Sequence, residues 1–518
     1  MKPWRFFARL IIVYAIVVMA VVLAINPYFS VGWDAQIFAS VGRAIIDNKD
    51  IFDLYQASRQ TWGDWGFPYP PLYAHLLAPF IGITYLAPLL PDWLIVRVPP
   101  VIFDTILAYL VYLLIRRRSS DERLARLGAI LWLFNPLTLY QTAIQAHQES
   151  TWLVCVVLAY ALMQSDADVR DRGGNVAAKM RHWQILPSLL MALAVAFKQS
   201  AILFYIPYVT VLFLDRDRRW PSLVAAGAIF ALIFGGLSLP YYLHSPDYFY
   251  LVFVDVSNMP VQTQSAVVWL LGLKDYLLDQ TRSTFVLLKY QVIITLGLAG
   301  LVSVMTLQKD RDLFRSGLLM ALLFFLTSRK VMGYHYPLLV PFLLIYTLPD
   351  DRFDLLGIGM IAASWIILSP YYAPWAKPEH MALYAAIGTP NTLLWLWMLV
   401  HVWRRRRCLR IGNLNVTGRL RDGGAVVIAT CIMTLGMILS SLVQPWAANP
   451  PLVQIVLFAL VFTGSLIIAV PVARRIWSQS VRIRPAHVIL AGLLIPVYFA
   501  AFALTAESTR IIESILPL

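Results

Sequence analysis

The chain has 518 residues, of which 59% are hydrophobic and only 14% are charged, and its 42 basic against 28 acidic side chains give a net charge of +14. A soluble domain is about half apolar and about a quarter charged, so this composition excludes a soluble single-domain enzyme and a disordered chain. The basic residues form short clusters between apolar runs, which is typical of cytoplasmic membrane-protein loops and excludes a nucleic-acid binder. We predict an all-α, polytopic transmembrane helical bundle of about 13–15 spans.

The first apolar run, about residues 10–25, follows Lys2, Arg5 and Arg9. No A-x-A-like cleavage site comes after it, so we interpret the run as an uncleaved first span with its N-terminus inside. The next basic cluster, at residues 116–118, ends the apolar run 94–115. If both basic clusters are cytoplasmic, the segment between the two spans is a large external loop.

Alternating the later runs across the membrane places the basic segments 164–182, 215–220, 309–315, 404–421 and 474–484 inside. These runs lie near 126–143, 147–163, 183–197, 199–214, 221–240, 284–307, 313–328, 334–348, 353–369, 390–403, 424–443, 451–473 and 486–505. The predicted divisions are the first span (1–26), the external loop (27–93), a core transmembrane module (94–348) and additional C-terminal transmembrane helices (349–518). The three cysteines lie in or beside apolar runs without CxxC spacing, which indicates neither a disulfide framework nor a thiolate metal site.

The external loop begins with Asp34, just after the first span and before a helical pattern that places Phe38, Val41 and Ile45 on one face. A carboxylate at this depth is partly shielded from water, which raises its basicity and suits it to take a proton from a hydroxyl. The alternative is that Asp34 only caps the helix that follows, since Asp is among the commonest N-caps.

Farther along, the same loop is rich in aromatic side chains around the proline-rich stretch 68–71. The prolines are explained by a stiff turn that returns the chain to the membrane. The aromatic residues, with Trp269 in the external segment 241–283, are candidates for stacking on sugar rings. An interfacial aromatic belt is the alternative explanation.

Two short external turns carry ionisable side chains, which are costly near a membrane and usually face a bundle interior or a wet cavity. Asn135-Pro136 breaks one span, and His147, Gln148 and Glu149 gather in the turn behind it. Lys198 occupies the tip of a tight predicted hairpin. Alternatively, Lys198 extends to lipid headgroups, and His147 only satisfies polar neighbours.

A third external turn contains Arg329 and Lys330, followed by Tyr334, His335 and Tyr336. Positive charge on the external face is not explained by the positive-inside rule. These side chains, with Lys198, are therefore candidates for binding a phosphate group. The alternative is that Arg329 and Lys330 bind the phosphates of ordinary lipids.

Taken in order, these features resemble the GT-C superfamily of integral membrane glycosyltransferases. The shared features are a first span with its N-terminus inside, an acidic residue early in a large external loop, a Tyr-Pro-Pro-Leu motif at residues 69–72, and an Asn-Pro followed by a His/Gln/acidic turn. Within the superfamily, the motif order looks most like glucosyl- and mannosyltransferases that use polyprenyl- or dolichyl-phosphate sugars, including dolichyl-phosphate-glucose glucosyltransferases. Residues 10–345 carry the likeness.

The resemblance implies that Asp34 is the catalytic general base and that Lys198-Gln199 is the Lys-Gln of the family's helical hairpin. Pro68 stands where relatives often have Asp before the Tyr-Pro-Pro-Leu motif, and Asp64 lies four residues earlier. No Glu follows His335, where the family pattern has one. Supporting acid or acceptor contacts are expected from Asp64, Asp104, His147, Gln148 and Glu149. Donor-phosphate contacts are expected from Lys198, Arg329, Lys330 and His335. Sugar or lipid contacts are expected from Trp65, Tyr69, Trp269, Tyr334 and Tyr336.

The implied reaction moves a hexose from a polyprenyl-phosphate donor to an acceptor hydroxyl of a glycan, glycolipid or protein on the external, periplasmic side of the plasma membrane, with inversion. A lipid phosphate is already a good leaving group, so neither a metal nor another cofactor is expected. Two alternatives are a lipid-linked sugar flippase or other transporter and a surface polysaccharide polymerase or ligase. A transporter should place polar residues near the midplane in two corresponding halves, whereas here they gather at one face.

Overall fold

Regular structure in the parts of the chain described here is entirely helical. The computed structural model describes residues 3–25, 33–47, 51–63, 66–171, 185–215, 219–255, 291–328, 331, 333–350, 356, 392 and 394–404. Within these ranges there are helices and no strand, which confirms the predicted all-α class. Five of the predicted site residues lie outside the described ranges: Asp64, Trp65, Trp269, Arg329 and Lys330. The predicted runs 353–369, 424–443, 451–473 and 486–505 also lie outside them, apart from Leu356.

The α-helices are numbered in chain order. They are α1 (Pro3–Ile25), α2 (Trp33–Asp47), α3 (Leu54–Trp62), α4 (Leu72–Leu86), α5 (Asp92–Ile95), α6 (Val98–Ser119), α7 (Glu122–Leu133), α8 (Pro136–Leu139), α9 (Glu149–Asp171), α10 (Ile185–Phe197), α11 (Ile202–Leu214), α12 (Arg219–Phe230), α13 (Gly236–His244), α14 (Pro246–Phe249), α15 (Gln291–Asp310), α16 (Leu313–Thr327), α17 (Leu339–Thr347) and α18 (Leu394–Trp403). Short 3₁₀ segments lie at Ile51–Asp53, Gln199–Ala201 and Gly333–Leu338. Turns of π-helix lie at Tyr140–Ile144, Ala231–Gly235 and Tyr250–Asp255.

Four helical stretches are long and apolar enough to cross a membrane. They are Pro3–Ala20, Asp92–Ser119, Arg219–His244 and Gln291–Asp310. Six shorter apolar helices of 10–17 residues accompany them in the described part of the chain. Because about 20 apolar residues are needed for a full crossing, the four long stretches identify an integral membrane protein.

The predicted break at Asn135-Pro136 separates α7 from α8. Helix α7 ends at Leu133, and the Asn135 side-chain amide donates hydrogen bonds to the carbonyl oxygens of Leu131 and Trp132 at 2.9 and 2.6 Å. Pro136 then begins α8, a position where its missing N–H costs nothing. Asparagine thus satisfies the last carbonyls of one helix while proline starts the next, which explains why this dipeptide interrupts the span.

The chain divides into two compact units. The first contains the described residues of Met1–Leu114, Thr138–Met259 and Leu296–Met320, and the second those of Ile115–Leu137, Pro260–Thr295 and Ala321–Leu518. In the first unit, α9 packs along α10 as a helical hairpin and α2 packs against α4. The antiparallel course of the hairpin places the start of α9, at Glu149, beside the end of α10, at Phe197. This helix end is where the polar residues of the first unit collect.

Candidate active site

Glu149 and Lys198 form a buried ion pair where α9 begins and α10 ends. The Lys198 ammonium donates to Glu149 Oε1, and both side chains are almost completely enclosed. The second carboxylate oxygen accepts a hydrogen bond of 2.6 Å from the indole N–H of Trp152, one helical turn farther along α9. The negative charge of Glu149 at the N-terminus of α9 and the positive charge of Lys198 at the C-terminus of α10 are each stabilised by the dipole of that helix.

His147 links the ion pair to the Tyr-Pro-Pro-Leu motif. Its Nδ1 lies 3.4 Å from Glu149 Oε1, and its Nε2 shares a hydrogen bond of 2.8 Å with the Tyr69 hydroxyl. The Lys198 ammonium lies 5.3 Å from the centre of the Tyr69 ring, within the range of a cation–π contact. Tyr69, His147, Glu149 and Lys198 are therefore one connected cluster, which we call the hairpin cluster.

The backbone before His147 is strained. Ala146 has a φ of 55°, in the left-handed region that side chains other than glycine rarely adopt, and it is completely buried. A turn of π-helix at Tyr140–Ile144 precedes it, and the His147 N–H donates to the Gln141 carbonyl at 2.9 Å. Strained residues and π-turns are enriched at functional sites, so the backbone before His147 agrees with a functional role for this turn.

Two hydrogen bonds fix the backbone of the Tyr-Pro-Pro-Leu loop, and a third joins Gln199, the donor of one of them, to Val252. The Tyr55 hydroxyl donates to the Tyr69 carbonyl at 2.6 Å, and the Gln199 side-chain amide donates to the Pro68 carbonyl at 2.8 Å and to the Val252 carbonyl at 3.2 Å. Gln199 follows Lys198 directly, so of two adjacent residues after α10 one contacts the Tyr-Pro-Pro-Leu loop and the other the Glu149 carboxylate. The loop and the hairpin cluster are thus held in a fixed relation.

Asp34 lies in α2 and its charge reaches the hairpin cluster. The helix begins at Trp33, so Asp34 stands within the first turn, where a negative charge suits the helix dipole. Burial lowers the pKa of both Lys198 and His147, and the Asp34 carboxylate opposes that shift in each. Four residues later on α2, the Phe38 ring lies 6.0 Å from the Tyr69 ring and 5.8 Å from the His147 ring. Helix α2 therefore contributes both an acid and an aromatic wall to the cluster.

Burial and charge act in opposite directions on the two basic groups of the cluster. Burial lowers the pKa of Lys198, while Glu149 and Asp34 raise it. Burial is also the larger effect on His147, whose pKa falls below its usual value with a further contribution from the Lys198 charge. The imidazole is thus disposed to be neutral. If its proton is on Nδ1, facing Glu149, its Nε2 accepts from the Tyr69 hydroxyl.

Asp104 belongs to a separate polar group in the same unit. It lies in α6, where the Tyr14 hydroxyl donates to its Oδ2 at 2.5 Å and the Thr142 hydroxyl donates to the same oxygen at 2.6 Å. All three side chains are buried. A carboxylate inside a membrane span is normally found with such donors facing it, since an isolated one is expensive.

Gln148, which lies between His147 and Glu149 in the sequence, is completely buried. Neither atom of its side-chain amide has a hydrogen-bond partner among the described residues. Buried amides are nearly always hydrogen-bonded, so this one has capacity for a water molecule or a ligand. Within the described ranges, no group of three or more His, Cys, Asp or Glu side chains is placed to hold a metal ion.

The remaining predicted residues within the described ranges, Tyr334, His335 and Tyr336, belong to the second unit and make aromatic contacts there. The His335 ring lies 4.5 Å from the Tyr334 ring and 5.2 Å from the Phe324 ring, and it is almost wholly buried. Tyr336 stacks on Phe325 with ring centres 4.8 Å apart. These residues lie in a closely packed aromatic region of their own unit.

Sequence reasoning missed several members of these groups. Trp152 was detectable, because its i, i+3 spacing from Glu149 puts the two on one helix face. Tyr14 and Thr142 carried a weaker signal, since polar side chains in apolar runs often pair with one another. Gln199 was noted only as part of the Lys-Gln motif, and nothing in the sequence indicates that its amide reaches the Pro68 carbonyl.

Comparisons with known proteins place this geometry in context. The sequence model of glycosyltransferase family 87 matches residues 67–328, just over half of the chain. Comparison with curated protein sequences found no match to this chain. Similar solved structures include ArnT from Cupriavidus metallidurans bound to undecaprenyl phosphate, with 15% identity and a TM-score of 0.41 over 88% of this chain and 77% of that one. The same protein in the apo state has 16% identity and a TM-score of 0.42 over 90% and 78%.

Proposed function

Because the chain belongs to glycosyltransferase family 87, we propose that it moves a hexose from a polyprenyl-phosphate donor to an acceptor hydroxyl, with Asp34 as the general base. The observation that carries this proposal is the position of α2. Phe38, one turn after Asp34, lies 5.8 Å from the His147 ring, and His147 and Lys198 both face the Glu149 carboxylate. Helix α2 thus brings an acid to the cluster that contains the Lys198 ammonium, and the Asp34 charge opposes the effect of burial on the pKa of Lys198. Transfer from a sugar phosphate needs both: a group to remove the acceptor's proton and a positive charge for the departing phosphate.

In the proposed reaction, Asp34 takes the proton of the acceptor hydroxyl as its oxygen attacks the anomeric carbon. Attack comes from the face opposite the phosphate, so the anomeric configuration inverts. The bond between the anomeric carbon and the phosphate oxygen breaks, and its electron pair stays on the lipid phosphate. Lys198 stabilises that charge, an electrostatic contribution that is usually the largest catalytic effect, and a positioned base adds about 10²–10⁴-fold.

The depth of the hairpin cluster favours a lipid-linked donor. Lys198 follows the apolar helix α10, and Glu149 begins α9, which is apolar over Glu149–Gln164. A polyprenyl chain in the bilayer places its phosphate at the level where apolar helices end. The phosphate of such a lipid would therefore lie at the same depth in the membrane as the Lys198 ammonium.

The distribution of basic residues favours an external active site. Arg5 and Arg9 lie in the first turns of α1, whereas Asp34 follows the other end of that helix. The basic residues 116–118 likewise occupy the last turn of α6. By the positive-inside rule, Asp34 then faces the outside. The contacts expected from Asp64, Asp104, Gln148, Arg329, Lys330 and His335, and the four divisions of the chain, remain predictions of this proposal.

The test uses the full-length protein in lipid nanodiscs with polyprenyl-phosphate mannose, glucose, galactose and arabinose in turn, and membrane glycolipids as acceptor. Release of polyprenyl phosphate, measured by mass spectrometry, is expected with one of the three hexose donors, and release with the arabinose donor alone would exclude a hexose as the transferred sugar. The Asp34→Asn variant should bind the active donor and release no polyprenyl phosphate. Undiminished release by this variant would exclude Asp34 as the base. Movement of the donor across the bilayer without cleavage would instead indicate a flippase.

A further inference from the structure

We propose, on the basis of the function above, that Glu149 is a positioning residue that holds the Lys198 ammonium charged and in place for the donor phosphate. Sequence reasoning assigned Glu149 to acid or acceptor contacts. The structure gives its carboxylate two different partners: one oxygen accepts from Lys198 and the other from the Trp152 indole at 2.6 Å. A carboxylate bound at both oxygens and completely buried is suited to fixing a neighbour rather than to meeting a substrate.

The need for such a partner follows from the burial of Lys198. Only 4% of this residue is exposed, and removing an ammonium from water favours its neutral form. The groups that face it are the Glu149 and Asp34 carboxylates, the His147 imidazole and the Tyr69 ring. Glu149 is in direct contact with the ammonium. It is therefore the principal group that keeps the charge on Lys198.

Trp152 fixes the direction in which Glu149 points. The indole N–H comes from the same helix face, one turn into α9, and a ring of this size is held by packing against Phe204 at 5.5 Å. With one oxygen anchored there, the other is aimed at the end of α10. An ammonium has three donors, and Glu149 accepts from one of them, so this pair alone does not saturate the ammonium.

The inference is tested by the binding of undecaprenyl phosphate, used as the probe, to the full-length protein in nanodiscs between pH 7 and pH 10.5. Affinity for the wild type should fall as Lys198 loses its proton at high pH, and Lys198→Met should remove this pH dependence. In Glu149→Gln, the midpoint of the fall should move about one to three pH units lower, because an adjacent opposite charge shifts a pKa by about that amount. The matched control is Glu122→Gln, which alters the first residue of α7.

The outcomes separate the two proposals. If the wild type does not bind the probe, the proposed donor is wrong and the inference falls with it. If the wild type binds and Glu149→Gln weakens binding equally at every pH, the donor proposal survives and Glu149 has only a structural role. A midpoint that moves in Glu149→Gln but not in Glu122→Gln supports the positioning role.

A second variant covers the case in which Glu149→Gln does not fold. Trp152→Phe keeps both charges and most of the ring volume while removing the N–H that anchors the carboxylate. The midpoint of the fall in affinity should move to lower pH in Trp152→Phe, by less than the shift of about one to three pH units expected for Glu149→Gln. Trp132→Phe, at another completely buried tryptophan, is the matched control. Identical pH profiles for the two tryptophan variants would overturn the inference.

Discussion

The hydroxyl of Tyr69 lies 2.8 Å from Nε2 of His147, although 78 positions separate these residues in the chain. This bond joins the Tyr-Pro-Pro-Leu loop to the turn that starts α9. Through His147 it also connects the loop to Glu149 and, beyond it, to Lys198. Three motifs that are scattered in the sequence thus form one buried cluster, and each link can be tested separately.

Replacing Asp34 by Asn should abolish transfer while leaving donor binding intact. The amide keeps the size of the side chain but cannot take a proton, so turnover should fall by about 10²–10⁴-fold. Release of polyprenyl phosphate measures turnover, and titration with the donor measures binding. Asp47→Asn, at the exposed end of the same helix, is the control and should retain wild-type turnover. Equal losses in both variants would show that the effect is not specific to Asp34.

Lys198→Met should destabilise the protein as well as weaken donor binding. It leaves the Glu149 carboxylate buried without its ammonium, and breaking a buried pair costs about 3–5 kcal/mol. The double variant Lys198→Met with Glu149→Gln removes both charges and should regain most of that stability without regaining transfer. Denaturant titration in detergent measures the first effect and product release the second. Lys309→Met, in the last turn of α15, is the control. Recovery of transfer by the double variant would contradict a role for Lys198 at the phosphate.

Tyr69→Phe isolates the hydroxyl that bonds to His147. The ring and its contact with the Lys198 ammonium remain, but His147 loses a hydrogen-bond partner in a buried position, which costs about 1–3 kcal/mol. We expect a lower melting temperature and a partial loss of turnover. Tyr242→Phe, at an exposed tyrosine of α13, should change neither. A melting temperature equal to the wild type would show that the bond contributes little.

Acid should weaken the fold through His147. Its pKa in the folded protein lies below the ordinary value of 6.5, first because of burial and then because of the Lys198 charge. The unfolded chain therefore binds more protons than the folded one below about pH 6.5, and stability is lost as the pH falls through that range. Melting temperatures between pH 4.5 and pH 8 measure the loss. His147→Gln should flatten this dependence. Parallel curves for the variant and the wild type would count against His147.

The family match confirms the class of enzyme that the sequence motifs predicted, a glycosyltransferase, and the four long apolar stretches agree with the predicted membrane protein. Local sequence signals located the helix breaks well. Asn135-Pro136 separates two helices as predicted, and Lys198 falls between α10 and the 3₁₀ segment after it. Such breaks depend on the residues at the break itself. One is a proline, which lacks an N–H, and the other is a charged residue, which is unfavourable inside an apolar helix. Local chemistry of this kind can be read without knowledge of the fold.

The partners of the charged residues were less predictable. Nothing near Glu149 in the sequence distinguishes Lys198 from Lys330 as its partner, because the choice depends on how α9 and α10 lie together. The same holds for Asp104, whose hydroxyl donors come from α1 and from the π-turn after α8. Sequence patterns placed these groups near the membrane surface or within a span. Only tertiary packing determined which of them meet.

The ion pair of the hairpin cluster also has a consequence for the order of synthesis. Glu149 emerges from the ribosome 49 residues before Lys198, and domains generally fold from the N-terminus during translation. Until the hairpin closes, α9 begins with a carboxylate that has no ammonium beside it, and burying it in that state would be costly. Synthesis of α10 and Lys198 is therefore the step that supplies the ammonium for this carboxylate. A chain that ends before Lys198 would leave this end of α9 without that ammonium.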